Sequence, residues 1–258
     1  MYALMQNHVF VGTYHKSGTV WMRKVFTHLM RAVSNGNFYN VSNHVMKWGN
    51  DKAKLAVIMR DSIKEAEAVG KLCVFFESHS KMPNEHFSDL RGFRVVRDPR
   101  DLILSAARYH TRSDEPWLHR PSDKFGGKTY SEAINALETF EDQLSFEMDN
   151  SSGQQIMTMA NFEFDSTIET VKYEDLIQDY ETTFFGGLLD RLGFTDEEVK
   201  VGREVFWKNA LFGGLKENKP SHVTNGAVAQ WETQFTDVML ERFNERFAEP
   251  TRALGYMV

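Results

Sequence analysis

Val9, Phe10 and Val11 form an apolar run that ends at Gly12 and gives way to the polar stretch Thr13-Tyr14-His15-Lys16-Ser17-Gly18-Thr19. From Thr19 onward, Trp21, Met22, Val25, Phe26 and Leu29 recur at helical spacing until the turn-forming Ser34-Asn35-Gly36-Asn37. A short continuous apolar run reads as a strand buried on both faces, and a 3.6-residue period reads as an amphipathic helix. Strand, glycine-bearing polar loop and helix make the opening of an α/β unit. The N–H groups of such a loop and of the first helical turn converge on an anion, and Lys16 adds a mobile positive charge. The order of residues matters. A nucleoside-triphosphatase loop places its lysine after a glycine and before a magnesium-binding hydroxyl, whereas Lys16 precedes Ser17-Gly18-Thr19.

The α/β period continues. A helix is expected from about Lys52 to Ala68, a buried strand from Leu72 to Phe76, and a strand at Phe93-Arg94-Val95-Val96. Asp98-Pro99 then starts a helix through Leu102 to Tyr109. Thr111 to Lys128 is too polar and too punctuated for regular structure and reads as a lid or a connector. Further on, an acidic-faced helix is expected from Ser131 to Met148, a strand from Ile168 to Tyr173, and helices over Asp175–Leu192, Asp196–Trp207 and Asp237–Phe247, with a loop from Gly213 to Ala229. No repeat and no Pro, Gly or Ser-rich linker divides the chain. The expected architecture is one α/β domain, residues 1–258, with a mainly parallel central sheet flanked by helices and a P-loop-like anion loop.

Composition narrows the partners. Thirty Lys and Arg against 36 Asp and Glu give a net charge of -6, so the basic excess of a nucleic-acid or polybasic membrane binder is missing. Any anion site is local. The lone Cys73 lies in an apolar run and forms no intramolecular disulfide, which excludes disulfide scaffolds and cysteine-cluster metal sites. No segment approaches the ~20 apolar residues that span a bilayer, so a cytoplasmic enzyme is the default expectation.

Five ordered segments carry a resemblance to the sulfotransferase family. Val9 to Trp21 resembles its 5'-phosphosulfate loop, commonly Thr-Tyr-Pro-Lys-Ser-Gly-Thr-Thr-Trp, with His15 for the proline and Val20 for the second threonine. Arg97-Asp98-Pro99-Arg100-Asp101, followed by Ser105 eight residues after the arginine, resembles the signature Arg-Asn-Pro-Lys-Asp and its serine. Val171 to Leu176 is similar to the family's Tyr-Glu-Asp-Leu strand end, and Leu211 to Pro220 to its Ser-Phe-x-x-Met-Lys-x-Asn-x-Pro stretch. Gly226, Trp231, Phe235 and Thr236 complete the series.

The resemblance implies a transferase that moves a sulfuryl group from 3'-phosphoadenosine 5'-phosphosulfate (PAPS) to a hydroxyl or amine of a small molecule, without a metal. It places the donor's 5' end on Lys16, Ser17, Gly18 and Thr19, its 3'-phosphate on Arg97 and Ser105, and its adenine against Trp21, Tyr173 and Phe212, with Gly226 nearby. Lys16 is then the cation for the leaving phosphate. The segment Phe75-Phe76-Glu77-Ser78-His79 resembles the family's Leu-Lys-Thr-His strand end, so His79 matches the catalytic histidine, and an imidazole can take a proton at neutral pH.

Two departures bear on this. Glu77 stands where the family has a lysine, and it is a second candidate for the base or an orienter of His79. Thr224-Asn225 stand where the family has Arg-Lys before Gly226, which leaves Lys216, Lys219 or His222 to compensate. Acceptor choice falls to the least patterned segments, Asn37 to Asn50 with Phe38, Tyr39 and Trp48, and the loop carrying Trp117 and His119. The rival readings are a magnesium-dependent phosphoryl transferase and a non-catalytic nucleotide-binding protein. The acceptor, O- versus N-sulfation and the oligomeric state stay open.

Overall fold

The computed structural model describes residues 7–33, 36–42, 51–83, 85–162, 167–216 and 226–258. In chain order the elements are β1 (His8–Gly12), α1 (Thr19–Val33), β2 (Gly36–Asn40), α2 (Lys52–Glu67), β3 (Leu72–Glu77), β4 (Leu90–Val96), α3 (Pro99–His110), α4 (Tyr130–Asn135), α5 (Phe140–Asp149), α6 (Ser151–Ala160), β5 (Ile168–Lys172), α7 (Tyr173–Ile177), α8 (Thr183–Arg191), α9 (Asp196–Asn209), α10 (Trp231–Gln234) and α11 (Asp237–Ala253). They group into two compact units. The first draws on Met1–Val96 and Glu163–Gly226, the second on Arg97–Phe162 and Ala227–Val258.

The first unit holds a five-stranded sheet in the order β2-β3-β1-β4-β5, and every described pairing is parallel. Because parallel strands are covered on both faces, β1 and β3 read as unbroken apolar runs; Val9, Phe10, Val11 and Cys73 through Phe76 have no solvent exposure. On one face Phe10, Cys73 and Phe75 pack with Leu55 and Met59 of α2. On the other, Phe26 of α1 meets Phe93 and Phe185, and Phe185 stacks on Phe206 of α9 at 4.2 Å. Offset aromatic stacking of this kind adds to the area buried. With β1 central and flanked by β3 and β4, its carboxyl end is where open α/β sheets bind ligands.

Several sequence expectations shift. Gly36–Asn40 is the edge strand β2, so Phe38 and Tyr39 pair sideways with Phe76 and Phe75 at 6.3 and 5.5 Å instead of standing in an acceptor loop. Short aromatic strands with polar ends lack the apolar run that marks a buried strand, which hid this one. Trp48 lies outside the described residues.

In the second unit the single acidic helix expected over Ser131–Met148 is two, because Thr129 caps one and Thr139 caps the next. The helix expected over Asp175–Leu192 is likewise α7 and α8. Here Asp179 accepts the N–H groups of Phe184 and Phe185 and restarts the helix. Helix α6 lies where the sequence reading places no element.

The loop 111–128 has more order than its polarity suggests. It contains 3-10 turns at Pro116–His119 and Asp123–Phe125, a bridge from Pro121 to Thr129, and Leu118 buried with Tyr130 and Ile134. Trp117 donates to Glu115 at 2.7 Å, and His119 bonds the carbonyl of Ser113 at 3.0 Å. Beneath it, fully buried Glu147 bonds His110 Nδ1 (2.6 Å) and accepts from Tyr130 (3.0 Å) and Ser152 (2.5 Å). A buried carboxylate is tolerated when donors surround it in this way. No helix among the described residues is long and apolar enough to cross a membrane.

Candidate functional site

The loop after β1 is closed by its own side chains. The carbonyl of Tyr14 accepts from the N–H of Ser17 (3.0 Å), the hydroxyl of Ser17 (2.9 Å) and the hydroxyl of Thr19 (2.8 Å). Ser17 Oγ in return accepts the N–H of Tyr14 at 2.8 Å, and Thr13 Oγ1 donates to Thr19 Oγ1 at 3.0 Å. Ser17 is fully buried and shapes the loop with both its hydroxyl and its N–H.

Lys16 and Gly18 take left-handed backbone angles, φ 65° and 94°. At Gly18 a β-carbon would also sit 3.3 Å from the Tyr173 ring, so glycine answers both demands. Helix α1 begins at Thr19, and the N–H groups of its first turn have no partners within the helix. They and half-buried Lys16 carry the loop's positive potential.

The turn after β3 is fastened to this loop. Thr13 N–H donates to the carbonyl of Glu77 (3.0 Å) and Ser80 Oγ to the carbonyl of Thr13 (3.0 Å). Gly12 allows the approach, since a β-carbon there would come within 2.7 Å of Ser80 Oγ. The strand stops at Glu77, so positions 77 and 79 do not share a face through strand alternation as their spacing suggests. The turn itself brings them together. Glu77 Oε2 accepts the N–H groups of His79 (3.0 Å) and Lys81 (2.5 Å), while Oε1 stands 3.8 Å from His79 Nδ1. Glu77 is fully buried, and its Oε1 has no hydrogen-bond partner among the described residues; His79 is 44% exposed, with Nδ1 also 3.1 Å from Ser78 Oγ.

Trp21 and Phe212 pack against Phe206, which reads from the sequence as an ordinary core position of α9, and Tyr173 joins them through Trp21. Trp21 stacks on Phe206 at 5.0 Å and meets Tyr173 edge-on at 6.3 Å, and Phe212 lies 6.1 Å from Phe206. The Trp21 indole N–H is buried without a hydrogen-bond partner among the described residues. Tyr173 donates to the carbonyl of Gly226 at 3.4 Å, and Gly226 itself has φ 65°.

Arg97 and Ser105 belong to the second unit. Arg97 is buried and donates to the carbonyl of Ala227 at 3.3 Å; Ser105 lies half-buried on α3. Asp98 caps α3 through the N–H of Arg100 (2.9 Å), with Pro99 at the first helical position, and takes a bidentate bond from the Arg100 guanidinium at 2.9 and 2.7 Å. Arg100 lies 3.6 Å over the ring of Trp231, and the backbone N–H of Trp231 donates to Asp101 Oδ1 at 3.0 Å. Thr236 caps α11. Of the compensating cations considered from sequence, Lys216 is exposed; Lys219, His222 and the Thr224-Asn225 pair lie outside the described residues.

Set beside known proteins, the chain matches the sulfotransferase domain family model over residues 6–185. Its fold is similar to that of mouse sulfotransferase SULT7A1 complexed with PAP, with a TM-score of 0.57 and 17% identity, covering 97% of this chain and 87% of that one. It is also similar to retinol dehydratase solved with androsterone and inactive cofactor PAP (TM-score 0.50, 14% identity, 96% and 81% coverage). The same enzyme with retinol and PAP matches at a TM-score of 0.50 and 15% identity, covering 96% and 82%. At these identities the likeness is one of fold. No curated protein sequence matches the chain.

Proposed function

The chain belongs to the sulfotransferase domain family, and from that premise we propose that it transfers a sulfuryl group from PAPS to a hydroxyl or amine of a small-molecule acceptor. The observation that carries this reading is the knotted loop Thr13–Thr19, which presents Lys16 and a helix start at the end of the central strand and is fastened to the turn bearing His79. Lys16 and the first N–H groups of α1 hold the donor's 5' end, with Ser17 and Thr19 keeping the loop in shape. Trp21, Tyr173 and Phe212 face the adenine, supported by Phe206 and Gly226. Arg97 and Ser105 take the 3'-phosphate. Residues 1–258 act as one functional domain.

The reaction is an in-line displacement. The acceptor oxygen or nitrogen bonds to sulfur while the bond from sulfur to the 5'-phosphate oxygen breaks, and Lys16 answers the negative charge that builds on that oxygen. The acceptor's proton goes to His79. With Nδ1 turned toward Ser78 and Glu77, Nε2 is the nitrogen that receives it. Glu77 is the poorer base because both its oxygens are buried and one already accepts two backbone N–H groups. It positions the histidine's turn.

Two measurements test the reading. PAP release from PAPS should depend on one member of a panel of alcohols, phenols and amines. On that acceptor His79→Asn should lose more turnover than Glu77→Gln. Release of ADP from ATP with magnesium, and none of PAP from PAPS, would favour a phosphoryl transferase. Near-normal turnover in His79→Asn beside a dead Glu77→Gln hands the role of base to the carboxylate.

A further inference from the structure

Beneath the donor loop lies a charged side chain that the reading above does not use. Arg94, on β4, is 3% exposed. Its Nη1 donates to the Tyr14 hydroxyl at 3.1 Å and its Nε to Thr170 Oγ1 on β5 at 3.1 Å. Tyr14, 2% exposed, is the hub of the loop, since its carbonyl takes the bonds from Ser17 and Thr19 that close it.

The sheet register explains how a charge comes to sit there. Gly12 is the partner of Glu77 on β3 and of Arg94 on β4, so residues 77 and 94 share one face of the sheet with no side chain from residue 12 between them. The Tyr14 phenol bonds to Arg94 and is influenced by both groups. Burial, the dominant influence, raises its pKa, Arg94 opposes that rise, and Glu77 adds to it. Removing a guanidinium from water is costly, and two of the bonds that hold it here go to neutral hydroxyls. A fixed charge in a low-dielectric setting acts over a longer reach than the same charge in water.

We propose that Arg94 is a positioning residue of the donor loop: its guanidinium pins the Tyr14 hub and sets a permanent positive charge beneath the loop that the donor's 5'-phosphosulfate end meets on binding. This rests on the reading that the loop takes that end of the donor. The charge is in place before the ligand arrives and costs no reorganisation when it does.

The test compares two probes by calorimetry, PAP and adenosine 3'-phosphate, which differ only in the 5'-phosphate. In Arg94→Gln, PAP affinity should fall about tenfold, the size expected for losing one buried charge-assisted contribution, while adenosine 3'-phosphate affinity moves less than about twofold. Arg94→Lys, which restores the charge, should recover most of the loss. Tyr14→Phe keeps the charge and removes one hydrogen bond, so it should weaken PAP alone by about threefold. Arg94→Gln losing both probes equally, or neither, overturns the inference and leaves the donor reading intact. If Arg94→Gln does not fold, the other two variants decide: unchanged PAP affinity in both, or equal losses for both probes, overturns it. Wild-type protein that binds the two probes equally overturns the donor reading and this inference with it.

Discussion

The loop Thr13–Thr19 and the stretch Arg97–Ser105, which we propose for the two anionic ends of one donor, are built on different principles. The first is a backbone device. Its hydroxyls on Ser17 and Thr19 are turned inward to Tyr14, whose phenol takes a bond from Arg94, so in the proposed reading a ligand meets N–H dipoles and Lys16 instead of hydroxyls. The second is a side-chain device. It offers a buried guanidinium and a hydroxyl on a helix whose start is held by Asp98, Arg100 and Trp231 and whose end is held by the His110–Glu147 pair. A backbone device is sensitive to anything that changes the shape of the chain, whereas a side-chain device fails when one group is removed. That difference orders the expected effects of mutation.

Lys16→Ala should have the largest consequence. Transfer should fall by about 10³-fold while PAP affinity falls far less, since the cation is needed most where charge develops in the transition state. Single-turnover rates beside calorimetry measure both; equal losses in the two would make Lys16 a binding residue only. Next comes His79→Asn, with a loss of ~10²-fold at saturating acceptor and unchanged PAP binding. Weakened PAP binding there would mean that the turn at 78–81 supports the loop more than it serves the acceptor.

At the second device Arg97→Ala should remove most of the preference for PAP over 5'-AMP and leave 5'-AMP affinity nearly as it was. A variant that still discriminates moves the 3'-phosphate to other residues. The foundations can be compared through stability. Glu147→Ala strands buried His110 and should cost about 3–5 kcal/mol, whereas Ser17→Ala should cost about 1–2 kcal/mol, by denaturant melts. The reverse order would mean that the loop's shape, and not the buried pair, is the stiffer foundation. The smallest effect is expected at Cys73. Buried in the sheet, its thiol is pushed up to about 12 by burial first and by Glu67 and Glu65 after it, so alkylation should await unfolding.

How much of this was legible beforehand follows the same division. The strand Val9–Val11, the loop and α1 could be read directly, because a run of apolar residues, a glycine and a helical period are local signals. The helix start at Asp98-Pro99 was legible for the same reason. What escaped were interactions set by register and by distant partners. Phe206 looked like core until Trp21 stacked on it, and Arg94 looked like one residue of a strand until Gly12 placed it opposite Glu77. Edge strand β2, with only Phe38 and Tyr39 to mark it, gained its identity from β3. The break between α4 and α5 was written in Thr129 and Thr139, whose capping competes with helix continuation.

In the proposed reading the chain recognises a nucleotide phosphorylated at both ends and not a nucleotide in general. Calorimetry of the wild-type protein with PAP, 5'-AMP and ATP side by side tests it before any acceptor is known. PAP should bind far more tightly than 5'-AMP, and magnesium should not bring ATP to the same affinity. Equal affinities for PAP and 5'-AMP, or magnesium-dependent binding of ATP above both, would contradict it.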